Sequence, residues 1–399
     1  METRKPWALV RNSGRTPKLP HGYYLSDYDT MDIRVDEPAA SAIREIFKLY
    51  IKGWGYKKIA EYMNETYSSA PKARKNGCQN TPPAEKVNWS ISSVERILKM
   101  DFYLGTYRQE KIGEQGTGDQ SPQVIVNHHD PIVDYRTYIL AKSLLQKRAE
   151  FHYRGQKKYD HLYSGFLYCG DCGSPMFAVS RRDLAPAYTC GTYHRCGTRG
   201  CSAHHIRTDR INRLLMSYLQ ETWRASQVGI EQTQAFLSTA KERVADADRA
   251  IQDLLRARST AKRELKLLML QNIRNENPDG SAESAVISET IDLLAQSAAD
   301  NIVLLSKKLG EQYTQRNAWI RCSRAAQTAM DVFQETMKKQ IPSKDELELL
   351  LDRIVVSEDR VEFLLKPDVS AFLNGIIGPK TTLQELNMAA KEKAAALYA

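Results

Sequence analysis

Four cysteines in the middle of the chain have the type and spacing of one tetrahedral metal site. Cys169-Gly-Asp-Cys172 is a C-x2-C knuckle, and Cys190, Cys196 and Cys201 follow it. Two thiolate pairs about 20 to 30 residues apart are the arrangement of a zinc ribbon, in which each of two turns presents two sulfurs. Gly170, Gly173, Gly191, Gly197 and Gly200 supply tight turns around them. Coordination by thiolates alone leaves no open position for water, so a single Zn2+ held this way builds structure and does no catalysis. The expected ligands are Cys169, Cys172, Cys190 and Cys201. Cys190 closes a strand-like Tyr-Thr-Cys, Cys201 opens Cys-Ser-Ala-His-His-Ile, and Cys196 is the alternative ligand, otherwise a loop thiol. His204 or His205 could replace one downstream thiolate, but adjacent histidines near a helix start read more simply as polar surface. Cys78 and Cys322 stand alone. An odd total of seven cysteines with no amino-terminal apolar run points to a reducing, cytoplasmic setting.

The elements that must position these residues follow from periodicity and capping. Residues 1–19 are basic and aperiodic, a linker or frayed end. At Asp36-Glu37-Pro38 an aspartate cap and a first-turn proline open a helix whose Ala39, Ile43, Ile46, Phe47 and Tyr50 share one face and which Gly53 ends. Tyr56–Asn64 reads as a second helix, and 68–86 as an exposed polar loop. A third helix begins near Trp89, with Ser92-x-x-Glu95 as a capping box and Val94, Ile97 and Leu98 inward. Tyr103–Tyr107 and Gln123–Val126 are β-prone, and a helix over roughly 135–149 closes the unit. Two helices with a long connection, the second capped by serines, resemble a helix-turn-helix, which turns the amino end of its second helix to the major groove. In that geometry Ser90, Ser92, Ser93 and Arg96 read bases while Lys57 and Lys58 hold phosphates. Residues 147–160 interleave Arg148, Arg154, Lys157 and Lys158 with Tyr and His, a composition that suits the minor groove.

From about 206 the pattern is helical for over a hundred residues. Val244, Ile251, Leu254, Leu265 and Leu268 keep heptad spacing, with Ala247, Arg258 and Ala261 as impurities. Asn275–Gly280 breaks the run, and Ile287, Ile291, Leu294, Ala298 and Leu305 resume it, which makes a long antiparallel coiled-coil hairpin with an imperfect seam and a motile character. Leu265, Leu267, Leu268, Leu270 and Ile273 exceed what a two-helix seam buries, so the end of the first arm reads either as an interaction surface or as a local core closed by Val286 and Ile287. A terminal β-hairpin, Asp352–Val356 and Val361–Leu365, follows, and the last 20 residues look helical and weakly packed.

Charge separates the two halves. Of 57 Lys/Arg and 48 Asp/Glu, residues 1–160 carry 26 against 19, residues 161–215 carry 7 against 3, and the remainder carries 24 against 26. The basic excess lies entirely in the first 215 residues, and a polyanion is the natural partner for that half. No apolar run approaches the length of a membrane span, so no membrane partner is expected.

This order of motifs resembles the large serine recombinases, in their transposon- and phage-integrase forms. Pro20-His21-Gly22-Tyr23, the helix ending at Gly53, Ile59-Ala60-x-x-Met63-Asn64, Trp89…Val94-x-x-Ile97-Leu98, Tyr103-Leu104-Gly105 and His129-x-Pro131-Ile132-Val133 are similar to that family's recombinase domain. Ser164-Gly165-Phe166-Leu167-Tyr168-Cys169-Gly-Asp-Cys172-Gly173, with Tyr188-x-Cys190 and Cys201, looks like its zinc ribbon. The resemblance implies a multidomain, mostly α protein with small β elements: 1–19 linker, 20–149 recombinase domain, 150–160 basic linker, 161–215 zinc ribbon, 216–340 coiled-coil hairpin, 341–366 β-hairpin completing the ribbon, and 367–399 tail. It departs from the family in showing no catalytic domain ahead of residue 36. Val10-Arg11-Asn12-Ser13 only superficially matches the family's nucleophile motif, so no catalytic residue is assigned and strand exchange by this chain alone is not expected.

The implied function is sequence-specific DNA binding at a recombination site of a mobile element, in a bacterial, nucleoid-associated setting. The alternative is a stand-alone regulator or assembly protein that occupies such sites. Binding to the double-stranded attachment site would be bipartite, with ribbon contacts from Arg181, Arg182, His204, His205 and Arg207. The coiled coil would pair DNA-bound subunits, and a separate catalytic or directionality partner is possible.

Overall fold

The computed structural model describes residues 19–27, 32–67, 88–109, 123–151, 161–181, 184–275, 282–379 and 395–398. The first unit opens with an antiparallel pair, β1 (Tyr23–Asp27) and β2 (Asp32–Val35), followed by α1 (Glu37–Ile51), α2 (Tyr56–Thr66) and α3 (Ile91–Lys99). α1 starts after Asp36 with proline in its first turn and stops where Gly53 takes φ +91°, a conformation cheap only without a Cβ. A short 3-10 turn (Asp101–Leu104) leads to a second antiparallel pair, β3 (Tyr107–Gln109) and β4 (Gln123–Ile125), and then α4 (Tyr135–Phe151). Ile43, Ile46, Phe47, Tyr50, Ile59, Met63, Val94, Ile97, Leu98 and Tyr103 form its core, all buried. The polar loop assigned to 68–86 lies outside the described residues.

Two local expectations are corrected here. α3 is capped by Ser90, whose hydroxyl accepts the Ser93 amide at 3.1 Å, so the helix begins two residues earlier than a Ser92–Glu95 capping box would place it. Tyr103 and Leu104 belong to the 3-10 turn and not to a strand, because Gly105 at φ +82° reverses the chain there.

The second unit is assembled from two distant stretches. β5 (Leu167–Cys169) lies parallel to β9 (Leu351–Val356), pairing Leu167 with Ile354 and Cys169 with Val356. β9 pairs antiparallel with β10 (Arg360–Leu365), and β10 with β11 (Ala395–Tyr398). A separate antiparallel sheet holds β6 (Met176–Arg181), β7 (Leu184–Cys190) and β8 (His205–Arg207), with α5 (Gly191–Cys196) between the last two. Their common core includes Tyr163, Phe166, Tyr188, Ile211, Tyr218, Phe333, Ile354, Phe363 and Phe372. α6 (Thr208–Ala225) and α10 (Pro367–Leu373) cover it, and α9 (Lys344–Leu350) enters β9 through a Ser343–Glu346 capping box. The helical reading of the final 20 residues is overturned at 395–398, where the open edge of β10 recruits an alanine-rich segment as β11. Tertiary pairing outweighs helix propensity at that edge.

Between these stretches α7 (Gln227–Asn275) and α8 (Ala282–Met337) run antiparallel. Their seam buries Ala240, Ile251 and Ala261 against Ile291, Ala298, Ile302, Leu309 and Tyr313. Leu294 and Ile287, assigned to the seam from sequence, are 52% and 51% exposed, because two helices bury only one stripe each. Val286 is exposed as well, so it and Ile287 do not close a local core over Leu267 and Leu270, which also face solvent.

Candidate metal centre and nucleic-acid interface

β5 and β7 each end on a cysteine, and the turn after each supplies a second. Cys169 closes β5 and its amide donates to the Ser174 carbonyl at 2.9 Å, while its own carbonyl accepts the Gly173 amide at 2.9 Å. This turn, with Gly173 at φ +67°, presents Cys172 beside Cys169. Cys190 closes β7, and Cys201 follows a 3-10 turn anchored on Gly197. The sulfurs of Cys169 and Cys201 are 3.7 Å apart and those of Cys172 and Cys190 3.4 Å, with all four within 4.8 Å of one another. Sulfurs around a tetrahedral zinc with bonds of about 2.3 Å sit roughly 3.8 Å apart, so the donor set fits that ion. Cys196 ends α5 and is exposed, outside this cluster.

Electrostatics divide the thiols. Burial opposes the Cys172 thiolate, but hydrogen bonds from the Ser174 amide and hydroxyl, from Thr192 and from Cys190 outweigh it and bring the thiol down to about 6. Burial first, then the neighbouring thiols, push Cys201 up to about 12, and burial raises Cys169. Ser174 and Thr192, whose hydroxyls are 2.6 Å apart, brace Cys172 and were not singled out from sequence. The position of Ser174 directly after the C-x2-C-Gly turn was the available signal.

His204 departs from its assignment as a DNA contact. It is 3% exposed, with Nδ1 3.4 Å from the Cys169 sulfur and 3.9 Å from that of Cys201. Its Nε2 lies 3.4 Å from an Asp171 carboxylate oxygen, so the ring braces the sulfur cluster and does not face solvent. His205 and Arg207 do point outward from β8. The register Phe177–Thr189–His205 and Val179–Ala187–Arg207 puts them on the outer face of the three-stranded sheet, beside a 47% exposed Phe177. Arg207 also pairs with Asp209 at 3.1 Å.

In the first unit, Asn64 at the end of α2 fixes the entry to α3. Its carboxamide oxygen accepts the Trp89 amide at 2.5 Å and its nitrogen donates to the Trp89 carbonyl at 3.1 Å. Ser90 and Ser92 are exposed at the amino end of α3, the Ser93 hydroxyl lies 2.7 Å from that of Ser90, and Arg96 is exposed one turn on. Ser92, Glu95, Arg96, Lys99 and Met100 line a shallow open groove along this helix. Lys57 is exposed and lies 3.9 Å from Glu61, whereas Lys58 sits over the Trp54 ring at 3.9 Å. Arg148 is engaged inside the unit, donating to the Trp54 carbonyl at 3.1 Å with its guanidinium 4.2 Å from the centre of the Tyr50 ring. Arg154, Lys157, Lys158 and Arg182 lie outside the described residues. Only the backbone of Arg181, at the end of β6, is described.

Two family models match this chain. The recombinase model covers residues 37–148, the α1–α4 unit, and the recombinase zinc beta ribbon domain covers residues 162–220. The chain thus combines a recombinase domain with a recombinase zinc beta ribbon. An uncharacterized protein of Bacillus subtilis (strain 168), YefB, is 23% identical over 151 residues, which are 34% of this chain and 48% of that protein. The chain thus spans about half the length of that curated relative. A solved structure described as a complex of an LSR with DNA aligns over 91% of this chain and 96% of its own, at 13% identity and a TM-score of 0.33. No helix among the described residues is long and apolar enough to cross a membrane.

Proposed function

We propose that this chain is the sequence-specific DNA-binding part of a serine site-specific recombinase, acting at the attachment sites of a mobile element in the bacterial cytoplasm. The observation that carries the reading is the succession of a recombinase domain and a recombinase zinc ribbon in one chain. The basic excess of the first 215 residues supports it, since phosphate neutralisation releases condensed counterions. Recognition is bipartite: Ser90, Ser92 and Arg96 at the amino end of α3 enter a major groove, and His205 and Arg207 on the outer ribbon sheet meet the next segment. Arg96 is the base reader of choice, because a guanidinium can bind the O6 and N7 of guanine together. Lys57 holds phosphate.

One zinc on Cys169, Cys172, Cys190 and Cys201 makes the ribbon rigid. Four thiolates fill its coordination sphere, so this metal organises the fold and takes no part in phosphoryl chemistry. The exposed apolar side chains near the arm tip, among them Leu267, Met269, Leu270, Leu293 and Leu294, support pairing between DNA-bound subunits. The test is binding to duplexes carrying the element's attachment site against scrambled duplexes at moderate salt. Preference for the site supports the reading, and equal binding overturns it.

A further inference from the structure

The coiled-coil hairpin does not leave the molecule as a free projection. It crosses the recombinase domain at β4, and the crossing is made of buried polar groups. Asn317 on α8 treats β4 as a neighbouring strand would: its carboxamide oxygen accepts the Val126 amide at 3.0 Å and its nitrogen donates to the Val124 carbonyl at 2.6 Å. Beside it Arg316, 1% exposed, donates to the Val126 carbonyl at 2.5 Å and pairs with Asp248 on α7. Two turns further Arg324 donates to the side-chain oxygen of Asn127. Below, Arg136 on α4 meets Glu335 at 2.7 Å. The apolar part is one cluster: Ile125 packs against Ile251, Leu309 and Tyr313, flanked by Leu254 and Leu255.

This composition has a consequence. A guanidinium taken out of water is stable only when its donors are met, and Arg316 draws one acceptor from its own hairpin and the other from the recombinase domain. The outward groups of β4, an open sheet edge, are likewise met by α8. On separation Arg316 keeps Asp248, water replaces the backbone partners, and the apolar surface exposed is chiefly that of the Ile125 cluster. Such a contact is specific in register yet cheap to undo, unlike the ribbon core with its many buried aromatic and aliphatic side chains.

We infer that Arg316, Asn317 and Arg324 form a releasable latch that docks the proximal half of the coiled-coil hairpin on the β4 edge of the recombinase domain. While closed, the latch sets the direction in which the distal arm points. The freely moving part of the arm then begins beyond Ile251 and Leu309, and not at the ribbon. The inference stands on intramolecular contacts alone and does not depend on the DNA-binding reading.

Residue-resolved hydrogen–deuterium exchange on the full zinc-loaded chain, without DNA, tests it. The Val126 amide should be protected in the parent protein. Asn317→Ala should speed its exchange by about tenfold or more, while α1 and the β9–β10 pair keep their protection. Asn127→Gly removes the acceptor of Arg324 while keeping a backbone that sits at φ +56°, and it should loosen the same edge even if Asn317→Ala fails to fold. Small-angle scattering of either variant should show a broader spread of arm orientations. An unprotected Val126 in the parent, exchange and scattering unchanged in both variants, or a rise shared equally by α1 would each overturn the latch.

Discussion

Asn64 and Trp89, twenty-five residues apart, are joined by both polar atoms of one carboxamide to both backbone groups of one residue. This closes the connection between α2 and α3 and sets where the Ser90 cap begins. Asn64→Ala leaves those backbone groups to find water and should lower stability by about 1–3 kcal/mol. Chemical denaturation of the metal-loaded chain reads this directly, and an unchanged midpoint would show that the clamp carries no stability.

Zinc content should separate the cysteines. Cys172→Ser and Cys201→Ser each remove a corner of the cluster and should strip the metal, whereas Cys196→Ser should retain it. Elemental analysis of the purified variants decides, and loss on Cys196→Ser with retention on Cys201→Ser would reassign the site.

Metal binding should release protons. In the metal-free fold Cys172, at about 6, is mostly thiolate at pH 7.5 and gives up little. Cys169 and Cys201 are raised, Cys201 to about 12, so both remain protonated there and must lose a proton to bind. Affinity therefore rises with pH across the neutral range, and Cys169 and Cys201 alone release about two protons per zinc. Calorimetry in buffers of different ionisation enthalpy counts them, and a value near zero would contradict the assigned thiols.

Arg96→Ala should cost about 1–3 kcal/mol on the specific site and relax its sequence preference, while Lys57→Ala should weaken all duplexes alike and lower the salt slope by about one. Titrations at several salt concentrations distinguish the two. Identical effects of both substitutions on specific and scrambled DNA would remove α3 from the recognition surface.

Deleting the arm needs care about where the cuts fall. An excision of 245–335 would also remove Ile251, Leu309 and Tyr313 from beneath β4 and Val332 and Phe333 from the ribbon core. Replacing only 259–303 with a short Gly/Ser linker spares both. That variant should bind a single half-site nearly as the parent does and lose higher-order complexes on native gels. A large loss of half-site affinity would refute the division of labour.

The parts legible from sequence were those written locally. The C-x2-C turn, the Gly53 stop and the β-prone runs of the terminal hairpin announce themselves within a few residues, and the fold contains each. What stayed hidden depends on distant partners. His204 reads as a polar surface residue until β7 and the Cys169 turn close over it. Arg316 and Asn317 look like ordinary outer-face residues of a long helix, because nothing nearby reveals that β4 lies across them. The segment at 395–398 carries helix-forming residues and yields to the open edge of β10.

The parallel pairing of Leu167 with Ile354 has a consequence for how the molecule is made. During synthesis the first strand of the central sheet leaves the ribosome long before its neighbour exists, and it must wait while both arms emerge. An antiparallel hairpin then returns the chain to the place it left, so the closure that unites the two stretches is made helix by helix and not by a random search. Arms of different length, changed by equal amounts on both helices, could be exchanged at the tip without disturbing the sheet beneath.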